Sequence, residues 1–473
     1  MVLPTANPTK SYWIEAAESP LRDFRSSEAL PEETDVAIIG GGYAGASTAY
    51  WINKVCDRTK LTWGQLRPHA YSRYAKWSKR FGPHGAMELI EHEMAHLSAF
   101  RNLSEEENIA EEVCLKFGET FDAAMTDEAW TRLKGALEAM RRDHGDDHEI
   151  VKVCRVIEDA HQAEEFTQMK GALAAVVHPA GQILQAHTPV MDVSARDVDG
   201  WIKVKTERGA IRARSVVHTT NRWASHLLPE FSNLILPDRG TIAAIKAPPG
   251  FIKHTGAQHW DSVVNNYHLQ LPPPYNTIII GGARQLLVHK PDDCFPNDKE
   301  DQQIDGVAAF YASWGISDVA GSPDAVPAGL SKEVNEGGCW TGIQTESADD
   351  FPFVGAVPER PGHYIAAGFA GHGMPRVLGS AAHVAPLVLE SLGVDYSKPL
   401  LAASFPPLPQ PFRTTAERIE RLKDTNLNAL AEEYKQSCAE SAKKPFCNTA
   451  RVMSVLTTPP SWDDRHQQVM AQL

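Results

Sequence analysis

The chain has 473 residues, enough for two or three domains with cores of their own. Its formal net charge is −14, from 60 acidic and 46 basic residues, which argues against a nucleic-acid or anionic-membrane surface. Seven scattered cysteines suit an intracellular chain with free thiols better than a disulfide scaffold.

Residues 1–33 read as an extended arm broken by Pro4, Pro8, Pro20 and Pro31. The arm has no apolar core, so no secretory signal is expected. No apolar run reaches membrane-spanning length. The expected compartment is the cytoplasm. Ala471-Gln472-Leu473 only partly resembles a peroxisomal tail, because a basic residue is missing from its middle.

Asp35 to Gly45 is the most informative stretch. Val36 to Ile39 is apolar and β-branched, as a buried parallel strand should be. Gly40, Gly41, Gly42, Tyr43, Ala44 and Gly45 follow, and fit G-x-G-x-x-G at the mouth of an apolar helix. The first glycine permits the turn, the second lets a pyrophosphate approach, and the third lets helix and strand pack closely. A dinucleotide unit should next supply a second strand ending in an acid, about 20 residues on. Here Cys56 to Trp63 leads straight into Gly64-Gln65-Leu66-Arg67-Pro68, and Asp57 comes too early to be that acid.

Residues 69–165 read as mostly helical and highly charged. They contain His92-Glu93-Met94-Ala95-His96, a formal H-E-x-x-H. Two histidines four apart share a helix face and would suit zinc, with the glutamate as base. No extended zincin pattern follows, and a plain amphipathic helix is the favoured reading, with zinc a remote one. From Ala172 the pattern becomes β-like. Ile202, Val204 and Thr206 alternate with lysines, Ser215 to Asn221 reads as a buried strand, and Asn233 to Leu287 is β-rich, ending in Thr277 to Arg284.

A second glycine-rich turn lies near the other end. His363 to Ala367 reads as a strand, Gly368-Phe369-Ala370-Gly371-His372-Gly373-Met374 as the turn, and Arg376 to Leu392 as a helix. Two such turns suggest one extended cofactor gripped at both ends. Beyond them come a proline-rich linker at 394–412, a charged helical pattern at 414–445 and a polar end, read together as a surface appendage.

The opening glycines, the Gly64–Pro68 patch, Val217-His218-Thr219-Thr220-Asn221 and above all Gly368–Met374 resemble the FAD-dependent D-amino-acid oxidase, glycine oxidase and sarcosine oxidase superfamily. The nearest likeness is to its fungal oxidoreductases, which share an arm like Asn7 to Trp13. The resemblance implies an α/β fold: a discontinuous, Rossmann-like FAD-binding domain plus a mixed α+β substrate domain. The FAD domain would take residues 34–75, 165–225 and 335–400, and the substrate domain 76–164 and 226–334, with 401–473 as linker and helical tail. It further implies that the first glycines hold the pyrophosphate. Val190 would lie on the adenine side, and Thr220 and Asn221 would make a small cofactor contact. Gly368, Gly371, His372, Gly373 and Met374 would lie along the flavin. The family's second strand, its terminal Glu and an Arg-Asn-Gly-Gly-like loop are absent here. Some members attach flavin through a cysteine near Cys339, but the fungal oxidoreductases the chain resembles carry Glu there, so non-covalent FAD is expected.

The implied reaction is oxidation of an amine or amino acid by hydride transfer to FAD, with O2 a possible acceptor. A substrate carboxylate wants an arginine fork, and Arg284 is the first candidate and Arg67 the second. Tyr267 would close the pocket, and His372 would polarise flavin or substrate. Two other classes stay open: a flavin-free protein of the same fold that lacks the second strand, and a zinc hydrolase.

Overall fold

In a computed structural model the described residues are 8–9, 11–13, 30–53, 65–106, 116–182, 192–206, 209–247, 249–273, 275–299, 302–308, 310–311, 339–394 and 405–447. Val190, Gly64 and the stretch from Cys56 to Trp63 lie outside them.

The strands are β1 (Glu33–Ile39), β2 (Gln65–Leu66), β3 (Lys116–Ala124), β4 (Arg155–Ile157), β5 (Ala174–Gln182), β6 (Asp192–Arg196), β7 (Ile202–Thr206), β8 (Gly209–His218), β9 (Ile235–Lys246), β10 (Thr255–His259), β11 (Asn265–Gln270), β12 (Thr277–Gly281), β13 (Cys339–Ser347), β14 (Phe353–Ala356) and β15 (His363–Ala367). The longer helices are α1 (Tyr43–Asn53), α2 (Tyr74–Glu106), α3 (Asp127–His144), α4 (Ala160–Thr167), α5 (Met374–Ser391), α6 (Ala416–Leu422) and α7 (Leu427–Ala442).

They build two sheets. The first runs β14-β15-β8-β7-β6, with β1 also on β8. β1, β8 and β15 are parallel, and their apolar runs feed the two glycine turns on the same edge of the sheet. Among the described residues β1 has a strand on one side only. The second sheet runs β13-β9-β12-β11-β10-β3-β5-β2, with β4 on β5. Strands β2, β5 and β13, drawn from the intervals 34–75, 165–225 and 335–400, pair in this larger sheet.

The main core lies where α1 and α5 cross each other and α2 packs on α5. Trp51, Phe100 and Leu378 are buried there, and the Trp51 indole donates to Leu378 O at 2.9 Å. Burying each such side chain contributes roughly 1.5–3 kcal/mol. α2 breaks at Gly82, whose φ of +75° precedes Pro83.

Two expectations need comment. The stretch 69–165 is mostly helical, as expected, but β3 and β4 also lie inside it. Gly118, Glu119 and Asp122 hide β3 from a pattern search, because its polar positions are satisfied by partners far away in sequence. The tail is no loose appendage as far as residue 447. Phe412, Cys438 and Cys447 are fully buried, and Arg418 forks onto Asp349 at 2.7 and 3.0 Å. No helix among the described residues is long and apolar enough to cross a membrane.

Candidate active site

The first glycine turn is held from above by Thr219. Gly40 has φ +109°, and a Cβ there would sit 2.8 Å from Thr219 Oγ1. A Cβ on Gly45 would sit 1.7 Å from Gly40 O, so only glycine lets helix and strand approach this closely. The Thr219 hydroxyl lies 2.8 Å from Ile39 O and 3.0 Å from Gly40 O and donates between them. The first turn of α1 carries no acid, so its free amides keep their positive end for an anion.

Asn221 braces the second turn. It has φ +46°, and its Oδ1 accepts from Gly368 N at 2.9 Å and Phe369 N at 3.3 Å. Beside it Thr345 Oγ1 accepts from Ala370 N at 3.2 Å. Gly368, Ala370 and Gly371 all take positive φ, which folds the turn tightly ahead of Met374 and the start of α5. Of the pair expected to touch the cofactor, Thr220 keeps a buried hydroxyl with no partner, and Asn221 serves the turn itself. Thr219, one residue earlier, makes the contact with the glycines.

His372 leaves this turn and lands on a buried carboxylate. Its Nε2 is 3.0 Å from Glu93 Oε2, and its ring stacks on His69 with centroids 3.8 Å apart. Glu93 also accepts from His69 N at 2.7 Å and from Arg376 Nε at 2.9 Å. Burial alone would push the Glu93 carboxyl up, but His372, Arg376 and His69 hold it well below the usual range. Burial pushes the imidazoles of His69 and His372 down. An ionised carboxylate only accepts, so His372 carries its proton on Nε2 and presents Nδ1 as an acceptor.

This arrangement gives H-E-x-x-H a structural part. His96 uses both ring nitrogens, Nδ1 on His92 O at 2.8 Å and Nε2 on Gly379 N at 3.0 Å. A Cβ on Gly379 would meet both His92 and His96 rings at 2.9 Å, so the motif sets the close crossing of α2 and α5. His92 is buried with neither nitrogen bonded.

Arg67 is tied up by protein partners. It is engaged by Asp122 at 2.5 Å, Thr120 Oγ1 at 3.0 Å and Phe121 O at 3.2 Å. Asp122 further takes Tyr71 at 3.0 Å and His259 at 2.6 Å, a closed buried network. Tyr267 on β11 pairs with Gly281 at the end of β12, three residues before Arg284. Tyr267 packs flat over Gly281, where a Cβ would meet its ring at 2.0 Å, and burial pushes its phenol up to about 12. Arg284 meets Tyr434 of α7 at 3.3 Å and Asp238 at 3.7 Å. Cys339 is buried in an apolar cluster that raises its thiol, which suits a free, un-ionised cysteine.

Residues 35–387 match the family model described as DAO, FAD dependent oxidoreductase. The chain belongs to that family. No curated protein matches the chain by sequence. Solved structures share the fold. Glycine oxidase from Geobacillus kaustophilus superposes with a TM-score of 0.59 at 19% identity, over 82% of this chain and 99% of its own. L-proline dehydrogenase from P. horikoshii gives 0.56 at 18% identity, over 79% and 96%. L-amino acid deaminase from Proteus vulgaris, with its specific insertion sequence deleted, gives 0.54 at 16% identity, over 84% and 98%. The family member is thus α/β, a Rossmann-like FAD-binding part joined to a mixed substrate part. The residues present fit FAD at two places: the cradle that a Cβ at Gly40 or Gly45 would fill, and the orphaned Thr220 hydroxyl between the turns.

Proposed function

We propose that the chain oxidises a C–N bond of an amine or amino acid with non-covalently held FAD as acceptor. The observation that carries this reading is the bracing of both glycine turns by one segment, Thr219 to Asn221, inside a chain of the FAD-dependent family. Gly40 to Gly45 would hold the pyrophosphate, and Gly368 with Gly371 to Met374 would hold the flavin end. When bound, FAD supplies the acceptor for a hydride leaving the carbon next to nitrogen. His372, neutral and fixed by Glu93, would present its Nδ1 as a hydrogen-bond acceptor at that end. Tyr267 would line the substrate side and exclude water. A cytoplasmic setting accords with five described cysteines that are all buried and unpaired.

A yellow purified chain that releases FAD on acid treatment, followed by turnover on a panel of amines and amino acids, supports the reading. Peroxide release in that panel tests O2 as acceptor. One observation favours a second reading, a flavin-free protein of the same fold: β1 is paired on one edge only among the described residues. A colourless chain that refuses added FAD would establish that alternative.

A further inference from the structure

Two buried carboxylates on the body of the molecule take their cations from the tail. Asp349, just before β14, has a side chain only 3% exposed. Its carboxylate meets Arg418 of α6 at 2.7 and 3.0 Å and Arg421 at 3.7 Å. Asp261, in the turn between β10 and β11, is 1% exposed. One of its oxygens accepts from Val263 N at 2.8 Å and Val264 N at 2.6 Å. The other takes Ser441 of α7 at 2.8 Å and Lys444, just beyond α7, at 3.0 Å. Among the described residues no other cation pairs with either acid. A buried carboxylate is costly unless a cation and hydrogen bonds meet it, so both sites are complete only with the tail in place.

The two acids belong to different sheets. Arg418 also donates to Phe351 O at 2.9 Å and Pro352 O at 2.8 Å, and its guanidinium lies 3.9 Å over the Phe353 ring. Thr414 N donates to Val354 O at 2.9 Å, and Leu422 is buried with Phe353 and Ile365. These partners lie on or beside β14 and β15 of the first sheet. α7 lands on the second sheet instead. Tyr434 accepts from Arg284, just past β12, at 3.3 Å and meets the Phe295 ring edge-on at 5.7 Å. Cys438 and Cys447 are buried against Val264 and Val288. Lys435 pairs with Asp292 at 2.7 Å, and Lys444 with Glu128 of α3 at 2.7 Å. Only residues 423–426 separate the two helices. The span that matches the family ends at residue 387, before either of them.

We propose that residues 405–447 are a strap that locks the second sheet against the first, with α6 as one anchor and α7 as the other. What the strap holds closed is the seam where the second glycine turn meets β13. There Ala370 N, from the first sheet's turn, donates to Thr345 Oγ1 of the second sheet at 3.2 Å, and Thr345 Oγ1 lies 3.5 Å from Asn221 Oδ1. Neutral hydrogen bonds of this kind are modest by themselves. Two charged anchors joined by a four-residue link reinforce them from outside. A strap works only while both ends hold, so releasing either end frees the seam as fully as releasing both. The tail is thus a built-in control on the gap between β13 and the second turn. The proposal stands whether or not the chain binds FAD.

The test is hydrogen exchange by mass spectrometry on the full chain, with the Ala370 amide as reporter in short overlapping peptides. Arg418→Gln breaks the first anchor, Ser441→Ala with Lys444→Gln breaks the second, and a combined variant breaks both. The second anchor is the decisive one, because among the described residues no hydrogen bond or ion pair joins Asp261 to the second turn. Breaking it should speed exchange at Ala370 by about 10–100-fold, the worth of a lost charge-assisted hydrogen bond. Arg418→Gln should reach the same range, and the combined variant should go no further than the faster of the two. Arg418→Lys keeps the charge and should recover part of the protection. Circular dichroism melting checks that each variant folds, and where Arg418→Gln does not, the second-anchor variant decides alone. Exchange that rises only around Asp261 and α7 overturns the proposal. So do single effects that multiply in the combined variant, the mark of two independent local braces. A chain that refuses FAD but shows the coupled pattern would sink the oxidase reading and leave the strap standing.

Discussion

The two glycine turns have the same plan, strand, turn and helix, but are held very differently. The second is locked from several directions: Asn221 and Thr345 take its amides, and His372 and Arg376 close on the buried Glu93. The first leans on β8 and on a single hydroxyl, that of Thr219. β1 carries no second neighbour among the described residues. The lesson is a division of labour. The end assigned to flavin is rigid before any cofactor arrives, whereas the end assigned to the dinucleotide depends on packing that one change would undo. FAD affinity should therefore be fragile and the geometry around His372 robust.

The largest effect should come from the first turn. Gly45→Val places a side chain 1.7 Å from Gly40 O, a backbone clash that no rotamer relieves. The expected outcome is complete loss of FAD retention, read from the visible spectrum, with helical content by circular dichroism kept. An equally yellow variant would remove the pyrophosphate cradle from this turn. Glu93→Ala attacks the second turn. It leaves Arg376 buried without its partner, so stability should fall by about 3–5 kcal/mol in denaturant titration. Glu93→Gln keeps the shape and should lose less.

Acid sharpens the comparison, because the second turn stands on titrating groups and the first does not. Glu93 has a folded pKa below its unfolded value of about 4.3, so its contribution is present above that pH and is lost as pH falls through the folded value. The buried pair His218 and His363, 3.1 Å apart, is pushed down by burial to about 3 and about 4. Unfolded histidine takes its proton near about 6.5, so this pair withdraws stability as pH falls from there towards about 4 and about 3. Wild-type melting temperature should thus decline below about pH 6.5 and steepen below about 4.3. In Glu93→Gln the lower step should shrink. An identical profile in both would show that other carboxylates, Asp122 first, carry the acid limb.

Legibility in the sequence followed the range of the contacts. β1, α1, β7, β12 and α5 were readable because a strand, a glycine and an apolar period are local signals. H-E-x-x-H was rightly placed on a helix, but what Glu93 does is decided 279 residues away by His372. Arg67 looked free because its partner Asp122 lies 55 residues on, in a strand whose polar content disguises it. Arg284 reads as the first candidate for a substrate carboxylate, yet Tyr434, 150 residues later, accepts from it. The tail's charges read as a solvated face, but Arg418 reaches back 69 residues to Asp349.

The smallest change tests the fragile side most directly. Thr219→Val keeps the volume over the glycines and removes one hydroxyl. Ile39 O still has the Thr219 amide at 2.9 Å, so it is not orphaned, but Gly40 O loses the donor at 3.0 Å that pins the turn. A neutral hydrogen bond of this kind is worth about 0.5–1.5 kcal/mol. If the first turn truly depends on Thr219, that energy should appear as a roughly 2–10-fold rise in the FAD dissociation constant, with the apo melting temperature barely moved. If the melting temperature falls and FAD affinity holds, then Thr219 serves the β1–β8 junction, and the turn is stiffer than its single brace implies.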